Sequence, residues 1–480
     1  MTKSVFEKGF SYDDVLLAPK FSSIKSRRDV GLETNLSKNL RLNIPLISAN
    51  MDTVTESGMA IAMARLGGIG VVHRFMTIDR QAEEVDKVKR FTNYIIETPY
   101  TISPESTIAD YKELSQKFGV SGFPVIDKSG YLVGMATERD IVFENNLGKK
   151  IKVIMTPREK LITATKDIAF SKAEEVFKKF KIEKLPLVDK SGKLCGLIAA
   201  KDIQKTTLYP RAAKDKKGRL LVGAAVGVAD DYLERAWRLI KAEADILIID
   251  IAHGHSVLAV EALKAIKKKF AGQEVIAGNV ATESGVKDLI RAGADGIKVG
   301  VGPGSACTTR VITGAGVPQL TAVLNCARAA QKYKIPIIAD GGIRKPADIT
   351  KALAAGASTV MIGNLFAGTD EAPGRITNKE GKRYKLYRGM ASFGANVSRR
   401  SLDTSDEDKI FDNLMLEGTE GLVPYRGSAK DVIEYLVAGL RSGMSYLNAK
   451  RVIDISRNAK FIEITANALQ ESHPHDLEKA

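Results

Sequence analysis

Short apolar segments recur along the chain, and each is followed by a stretch in which apolar residues recur at the spacing of an amphipathic helix. Eight of these segments predict strands, at residues 43–49, 68–73, 220–227, 246–252, 274–280, 296–302, 335–341 and 359–366. Their near-continuous Val and Ile content indicates strands that are buried on both faces, as in parallel sheets. Eight strand–helix alternations favour an α/β fold of the closed parallel kind, a (β/α)8 TIM barrel, over an open doubly wound sheet.

A duplicated segment separates the second predicted strand from the third. Residues 119–130 match residues 181–192 at an offset of 62 positions, and Asp140 corresponds to Asp202. Each copy predicts a helix, an apolar strand, an Asp-Lys-Ser-Gly turn, a second strand and a helix that begins near the aspartate. We therefore divide the chain into a first barrel part (1–93), an insert of two repeats (94–206, with repeats of about 94–150 and 151–206) and the remainder of the barrel (207–480).

The insert resembles a tandem pair of cystathionine-β-synthase (CBS) domains. This resemblance implies that Asp140 and Asp202 bind the ribose of a regulatory nucleotide. The residues themselves leave open a simpler role, because an aspartate at the start of a helix is also a common N-cap.

Composition narrows the class of protein. The chain has no apolar run long enough for a membrane span and no apolar leader, so we expect a soluble, cytoplasmic protein without a membrane partner. Three cysteines are too few for a disulfide framework, which suggests a reducing compartment. Lys and Arg outnumber Asp and Glu by 72 to 57, but the excess lies along helical faces without interleaved aromatics. This favours solvated surface charge with some attraction for phosphorylated ligands, and no nucleic-acid partner.

Polar and glycine-rich residues follow the predicted strands, where a barrel enzyme carries its chemistry. Gly341, Gly342 and Gly363 follow the seventh and eighth strands, the usual phosphate site of this fold, because glycine lets main-chain N–H groups approach an anion. The sixth strand leads into Gly302-Pro-Gly-Ser-Ala-Cys-Thr-Thr-Arg, a loop with a lone cysteine among hydroxyls. Cys307 is a candidate nucleophile with Thr309 or Arg310 assisting, although a small apolar loop residue is the alternative.

The other two cysteines, Cys195 and Cys326, lie inside apolar patterns and are predicted to be core residues. They are therefore not candidates for catalysis.

Several long motifs in order resemble the IMP dehydrogenase and GMP reductase family over essentially the whole chain. Besides the cysteine loop they are Tyr12-Asp-Asp-Val-Leu-Leu, Ala49-Asn-Met-Asp-Thr, Asp340-Gly-Gly-Ile-Arg, Tyr387-Arg-Gly-Met and Glu471-Ser-His-Pro-His-Asp. The resemblance implies a purine nucleotide oxidoreductase in which Cys307 forms a covalent adduct at C2 of the base while Thr309 handles protons.

The resemblance also implies the binding residues. The nucleotide phosphate would be held by Ser305, Gly342, Gly363 and Tyr387, the ribose by Asp340, and the base edge by Met390 and Glu417, with Ser48, Met51 and Gly389 completing the substrate site. Asp250, Asn279 and Gly300 would face the dinucleotide, NADPH or NAD. A potassium ion would lie on the carbonyls of Gly302, Gly304 and Cys307, with Glu471, Ser472 and His473 of a neighbouring subunit. This implies a homotetramer, or an octamer.

Two reactions share this chemistry, and only IMP dehydrogenase needs an activated water. In dehydrogenases an Arg-Tyr pair on a flap activates it, but the stretch from Ser392 to Glu417 contains no tyrosine, and neither Arg399 nor Arg400 precedes one. Loss of a general base costs about 10²–10⁴-fold, and it spares hydride transfer. The sequence therefore favours GMP reductase, with IMP dehydrogenase as the alternative.

Three features favour IMP dehydrogenase instead. The insert and the Glu-Ser-His tail are commoner among dehydrogenases, and Phe393 stands where many compact reductases have a glutamate. A nucleotide sensor without catalysis is a further alternative, although the intact Cys307 loop weighs against it.

Overall fold

The chain divides into two compact units, one built from residues 1–91 and 211–480 and the other from residues 92–210. The computed structural model describes residues 6–91, 95–201, 203, 209–229, 231–402, 406 and 415–474. Within this part of the chain no helix is long and apolar enough to cross a membrane.

The first unit is a closed barrel of eight parallel strands, which confirms the predicted fold class. The strands are β1 (Leu46–Ser48), β2 (Ile69–Val72), β3 (Val222–Val226), β4 (Ile246–Ile249), β5 (Val275–Val280), β6 (Gly296–Val299), β7 (Ile337–Asp340) and β8 (Thr359–Ile362). They pair in chain order, and β8 closes on β1 with Met361 opposite Ile47. Each lies inside its predicted segment but is shorter, because residues at the segment ends form loops or, in the eighth segment, the start of the Asn364–Ala367 helix.

Eight helices surround the barrel. They are α1 (Ser57–Arg65), α2 (Ile78–Phe91), α3 (Tyr232–Lys241), α4 (Val257–Lys269), α5 (Glu283–Arg291), α6 (Gln319–Gln331), α7 (Pro346–Ala354) and α8 (Ala429–Tyr446). Shorter helices lie at Tyr12–Asp14, Arg27–Asp29, Thr309–Thr313, Asn364–Ala367, Phe393–Arg400, Val452–Asn458 and Ala466–Glu471. Side chains alternate along each strand, so one set packs outward on the helices and the other fills the barrel interior.

The two sets form separate apolar clusters. The interior cluster includes Ile47, Val71, Ile248, Ile276 and Met361, all fully buried or nearly so. The outward cluster contains Ile297 and Val299 of β6, which pack with the helices. Lys298, between them, therefore points into the interior, where it is a charged residue among aliphatic ones.

Further strands decorate the barrel. A three-stranded antiparallel sheet of Thr377–Lys379, Lys382–Arg388 and Glu420–Pro424 lies between β8 and α8 in the chain. Near the two ends of the chain, Val15–Leu17 pairs with Phe461–Glu463, and Thr34–Asn35 pairs with Arg41–Leu42. The first of these pairings joins segments that the sequence analysis did not connect.

The second unit contains two similar α/β repeats, each with its own core. The first has helices Ile108–Phe118, Glu138–Ile141 and Ile151–Ile154, strands Gly122–Ile126, Leu132–Thr137 and Thr156–Pro157, and the Arg158–Lys160 turn. The second has helix Phe170–Phe180 and strands Ile95–Ile96, Lys184–Val188 and Leu194–Ala199. Each third strand comes from beyond the central hairpin of its repeat, so Ile95–Ile96, the first strand of this unit, completes the second repeat's sheet.

Candidate active site

A cleft at the carboxyl ends of the barrel strands has two adjoining lobes. The first, the cysteine lobe, has a volume of about 390 Å³ and contains Cys307. The second, the glycine lobe, has a volume of about 430 Å³ and contains Gly342 and Gly363. Pro303, Gly304, Gly341, Met361 and Tyr387 line both lobes. The cleft is therefore continuous, and an elongated ligand can reach from one lobe into the other.

Cys307 begins a chain of three hydrogen-bonded side chains. Its Sγ lies 3.2 Å from Thr309 Oγ1, and that hydroxyl donates to Glu417 Oε2 at 2.8 Å. The main chain fixes this arrangement, because Thr308 N donates to the carbonyl of Glu417 at 2.9 Å. All three side chains line the cysteine lobe. A carboxylate that accepts from a hydroxyl next to a thiol can take up the thiol proton and pass it on.

Asp340 lies at the end of β7 and is held from below. Its Oδ2 accepts from Lys298 Nζ at 2.7 Å and from Asn279 Nδ2 at 2.9 Å. Asn279 Nδ2 also donates to the carbonyl of Gly300 at 2.8 Å, and Lys298 donates to Asn279 Oδ1. The carboxylate is therefore anchored through one oxygen while Asp340 lines the cysteine lobe.

The glycine lobe is built for an anion. Gly341 and Gly342 have φ angles of 92° and 80°, a left-handed backbone that glycine adopts without strain. Ser305, Gly363 and Tyr387 complete the lining. Burial raises the pKa of Tyr387, so its hydroxyl stays neutral and can donate a hydrogen bond.

The opposite side of the cysteine lobe is lined by two arginines and an aspartate. Arg74 Nε lies 3.4 Å from Asp250 Oδ2, and its guanidinium lies over the Phe75 ring at 5.1 Å. Burial, reinforced by the nearby Arg399, lowers the pKa of Arg74. This wall combines positive charge with an aromatic surface, which suits a phosphorylated ligand that carries a flat ring.

The structure thus brings most of the predicted site residues together. The cysteine lobe is lined by Met51, Asp250, Asn279, Gly300, Gly304, Cys307, Thr309, Asp340, Gly389, Met390 and Glu417, and the glycine lobe by Ser305, Gly342, Gly363 and Tyr387. Ser48 is completely buried beneath the cleft, where its Oγ accepts from Thr55 at 2.9 Å.

Other predicted residues are not among those that line the two lobes. Glu471, Ser472 and His473 are exposed at the end of the Ala466–Glu471 helix. Gly302 packs against Arg310, whose Nε donates to the carbonyl of Val301 at 3.1 Å. In the insert, Asp140 accepts from the main chain and the hydroxyl of Thr137, both at 2.7 Å, as an N-terminal capping box does. Asp202 lies outside the described residues, as does most of the flap between 403 and 414.

The two cysteines predicted to be core residues differ. Cys326 is fully buried, which confirms the prediction, and burial raises the pKa of its thiol to about 12. The prediction for Cys195 is wrong in part, because this side chain is only half-buried. It packs against the edge of the second repeat's small apolar core, which does not enclose it completely.

Several residues of the site were not predicted from the sequence. Lys298 and Arg74 line the cysteine lobe, while Tyr12 and Gln319 line the glycine lobe. Gln319 Nε2 donates to the carbonyls of Val299 and Asp340, both at 3.0 Å, and so ties the ends of β6 and β7 together. Two of them carry a sequence signal, because Lys298 is a charged residue in an otherwise apolar strand and Tyr12 begins one of the family motifs.

Comparisons with known proteins agree with this geometry. The family model described as the IMP dehydrogenase / GMP reductase domain matches residues 9–475. The inosine-5'-monophosphate dehydrogenases of Nitrosopumilus maritimus and Aquifex aeolicus are 51% and 50% identical to this chain, covering 98% of it in both cases and 99% and 96% of their own lengths. A cysteine-to-alanine variant of Trypanosoma brucei GMP reductase, solved with guanosine 5'-monophosphate, is 42% identical with a TM-score of 0.90 and covers 99% of both chains.

A parallel barrel with a cysteine at the end of a strand and an anion-binding lobe beside it defines an enzyme that acts on a phosphorylated ligand. The chain belongs to the IMP dehydrogenase / GMP reductase family, and it is an NAD(P)-dependent oxidoreductase of purine mononucleotides.

Proposed function

We propose that this protein is a GMP reductase, which converts GMP, NADPH and a proton to IMP, ammonia and NADP. One observation carries the choice of reaction. The Cys307–Thr309–Glu417 chain provides for proton transfer at the sulfur, whereas the segment from Ser392 to Glu417 contains no tyrosine to pair with an arginine and activate water. Amine loss and hydride transfer need the first device but not the second.

The hydrogen-bonded chain provides a path for the proton that the amine needs in order to leave. Cys307 Sγ bonds to C2 of GMP, and the thiol proton passes through Thr309 and Glu417 to the amine, which leaves as ammonia. The sulfur is then bonded to C2 in place of the amine. The nicotinamide dinucleotide supplies the hydride that C2 receives. The C2–S bond then breaks, IMP departs, and the thiolate takes a proton from solvent to restore Cys307.

The cleft fits a mononucleotide in one orientation. The phosphate would lie in the glycine lobe, where Ser305, Gly342, Gly363 and Tyr387 offer hydroxyl and main-chain donors. The ribose would lie over Asp340, which lines the cysteine lobe and directly precedes Gly341 and Gly342 of the glycine lobe. The base would then reach Cys307, with Met51, Gly389 and Met390 around its edges.

The rest of the cysteine lobe fits a dinucleotide. Asp250 and Gly300 line it beside the thiol, with Arg74, Phe75 and Arg399 on the outer wall. The Asn279 amide already bonds Asp340 and Gly300, so we assign Asn279 to the inner wall beneath the dinucleotide.

The cysteine loop also fits a potassium ion in part. Gly302 has a φ of 81°, a left-handed turn that directs successive carbonyls of the loop in different directions. The carbonyl of Gly304 accepts from Cys307 N at 3.1 Å, which leaves its second lone pair for the ion. The remaining ligands would be Glu471, Ser472 and His473 of a neighbouring subunit, whose exposure in the single chain is consistent with that role. Ions shared in this way between neighbouring subunits would give a homotetramer, or an octamer made of two tetramers.

The insert would be a CBS pair that binds regulatory nucleotides. Support comes from the two repeats of similar build, with Asp140 at a strand-to-helix junction. Because Oδ2 of Asp140 already caps its own helix, ribose contact would fall to its other oxygen.

IMP dehydrogenase is the second candidate, and one finding favours it. The chain is 51% identical to the N. maritimus protein of that name, compared with 42% for the T. brucei reductase. In this case IMP, NAD and water would give XMP, NADH and a proton, and a group other than an Arg-Tyr pair would have to activate the water.

One pair of assays tests the choice. The purified full-length protein is incubated with GMP and NADPH, and separately with IMP, NAD and potassium, while nicotinamide absorbance is followed. We expect absorbance to fall in the first mixture, with IMP and ammonia formed in equal amounts, and to stay constant in the second. A rise in the second mixture with none of the first reaction would establish the dehydrogenase instead.

A further inference from the structure

Lys298 is a buried charge that the barrel itself does not require. It is 3% exposed, and its strand position points into the barrel interior, whose buried cluster consists of aliphatic residues and Met361. Placing an ammonium group there is unfavourable unless it is paired and hydrogen-bonded. Both of its polar contacts, Asp340 and Asn279, line the cysteine lobe. The lysine thus serves the carboxylate at the cleft rather than the packing of the core.

The contacts leave Asp340 with one oxygen for a ligand. Lys298 Nζ and Asn279 Nδ2 both donate to Oδ2, at 2.7 and 2.9 Å. Among the described side chains, none donates to Oδ1. The carboxylate cannot rotate without breaking two hydrogen bonds, one of them from a cation. Oδ1 is therefore presented to the cleft in a fixed orientation before any ligand arrives.

The place of Asp340 in the cleft indicates what that oxygen meets. The next two residues of the chain, Gly341 and Gly342, line the anion-binding lobe, while the Asp340 side chain shares the other lobe with Cys307. A group between a phosphate and a base is a sugar. A carboxylate oxygen accepts hydrogen bonds but donates none, so it favours a sugar that carries hydroxyls.

We propose that Lys298 is a positioning residue which, together with Asn279, orients Asp340 to select ribonucleotides over 2'-deoxyribonucleotides. This inference rests on the proposed mononucleotide seat, which a reductase and a dehydrogenase would share. Lys298 touches neither sugar nor base in this account. It acts by holding the carboxylate that does, so its loss weakens the sugar contact and leaves the phosphate and base contacts in place.

Equilibrium titration of the full-length protein with GMP and with 2'-deoxy-GMP, without dinucleotide, tests the proposal. We expect the native protein to bind GMP about 10- to 100-fold more tightly, the range for a hydrogen bond to a charged group. Lys298→Met should weaken GMP binding by about that factor and 2'-deoxy-GMP binding by less than about 3-fold, so that the preference collapses. Lys298→Arg should restore a large part of it.

The matched control is Lys89→Met. Lys89 is also 3% exposed and also paired, at 2.6 Å from Asp245 Oδ2, but it lies at the other end of the barrel. This variant loses a buried pair of the same kind and should keep the preference for GMP. Asn279→Ala serves as a second probe of Asp340, and it should reduce the preference in the same direction even if Lys298→Met does not fold.

Three results would overturn the proposal. They are a native protein that binds both nucleotides equally, a Lys298→Met or Asn279→Ala protein that weakens both nucleotides by the same factor, and a loss of preference in Lys89→Met as large as in Lys298→Met. The measurement involves no turnover. Its result therefore does not depend on whether the enzyme is a reductase or a dehydrogenase.

Discussion

The two ends of the barrel use the same kinds of charged side chains in different ways. At the amino ends of the strands, Lys89 Nζ lies 2.6 Å from Asp245 Oδ2 and 3.1 Å from Asp215 Oδ2. Asp245 Oδ2 also accepts from Val222 N, and Asp215 also pairs with Arg219. Each charge there is satisfied by partners within the chain. At the carboxyl ends, Asp340 keeps one oxygen open, and the Cys307–Thr309–Glu417 chain ends in a cavity.

This difference separates stability from function in one fold. A charge that is fully paired contributes to stability alone. The pairs of Lys89 do so by joining α2 to the segment after the insert and to the residue before β4. A charge that is half-paired carries a desolvation cost that a ligand can relieve, so it is poised for binding. The comparison predicts that substitutions at the carboxyl ends reduce activity more than stability, and that those at the amino ends do the reverse.

The largest expected effect is that of Cys307→Ala. Removal of a nucleophile typically lowers turnover by about 10⁴-fold or more, and this half-buried side chain belongs to none of the apolar clusters of the described residues. Steady-state turnover and thermal unfolding of the variant should show lost activity at an unchanged midpoint. Cys195→Ala, a half-buried cysteine in the other unit, is the control and should retain full turnover. Appreciable turnover by Cys307→Ala would refute covalent catalysis at this residue.

A smaller loss is expected for Glu417→Gln. The glutamine can still accept from Thr309 but cannot take up a proton, so turnover should fall by about 10²–10⁴-fold while GMP affinity changes little. The matched control is Glu420→Gln, three residues further on, whose carboxylate bonds Gly394 N outside this chain of residues. If Glu417→Gln instead weakened GMP binding and spared turnover, Glu417 would act on the base edge, as the family resemblance implied.

The barrel and the place of Cys307 in a loop at a strand end were predictable because both depend on local pattern. Apolar runs such as that of β4 predict buried parallel strands wherever they occur, and glycines around Cys307 indicate a loop at a strand end. The partners of Glu417 were not predictable in this way. They depend on a sheet that returns the chain to the cysteine loop 108 residues after Thr309, and no periodicity encodes that contact.

Buried polar residues were the hardest to predict. Arg74 follows β2 in a segment that is typical of an exposed loop, and only the closure of the barrel places it beside Asp250. In the insert, the duplicated sequence predicts two repeats. It does not predict that Ile95–Ile96 completes the second sheet, because a repeat pattern does not show which strands pair. Lys298 shows the general reason, since a charge in an apolar strand reveals its use only when its partners are in place.

The smallest effect is expected at the amino ends, from Glu243. Hydrogen bonding from Arg219, opposed by partial burial and assisted by Lys217, lowers the pKa of Glu243 from 4.5 to about 2. Because the pKa is lower in the folded state, the pair stabilises the protein above pH 4.5 and loses its effect as the pH falls toward 2. Its side chain is 45% exposed, so solvent screening limits the contribution to about 0.5–1 kcal/mol.

Urea unfolding should therefore show Glu243→Gln less stable than the native protein by that amount at pH 7, with a smaller difference at about pH 3. Glu261→Gln, on an exposed face of α4, should show no such convergence, and turnover should be unchanged in both variants. A Glu243→Gln protein with native stability but impaired turnover would contradict the division between stability at the amino ends of the strands and activity at the carboxyl ends.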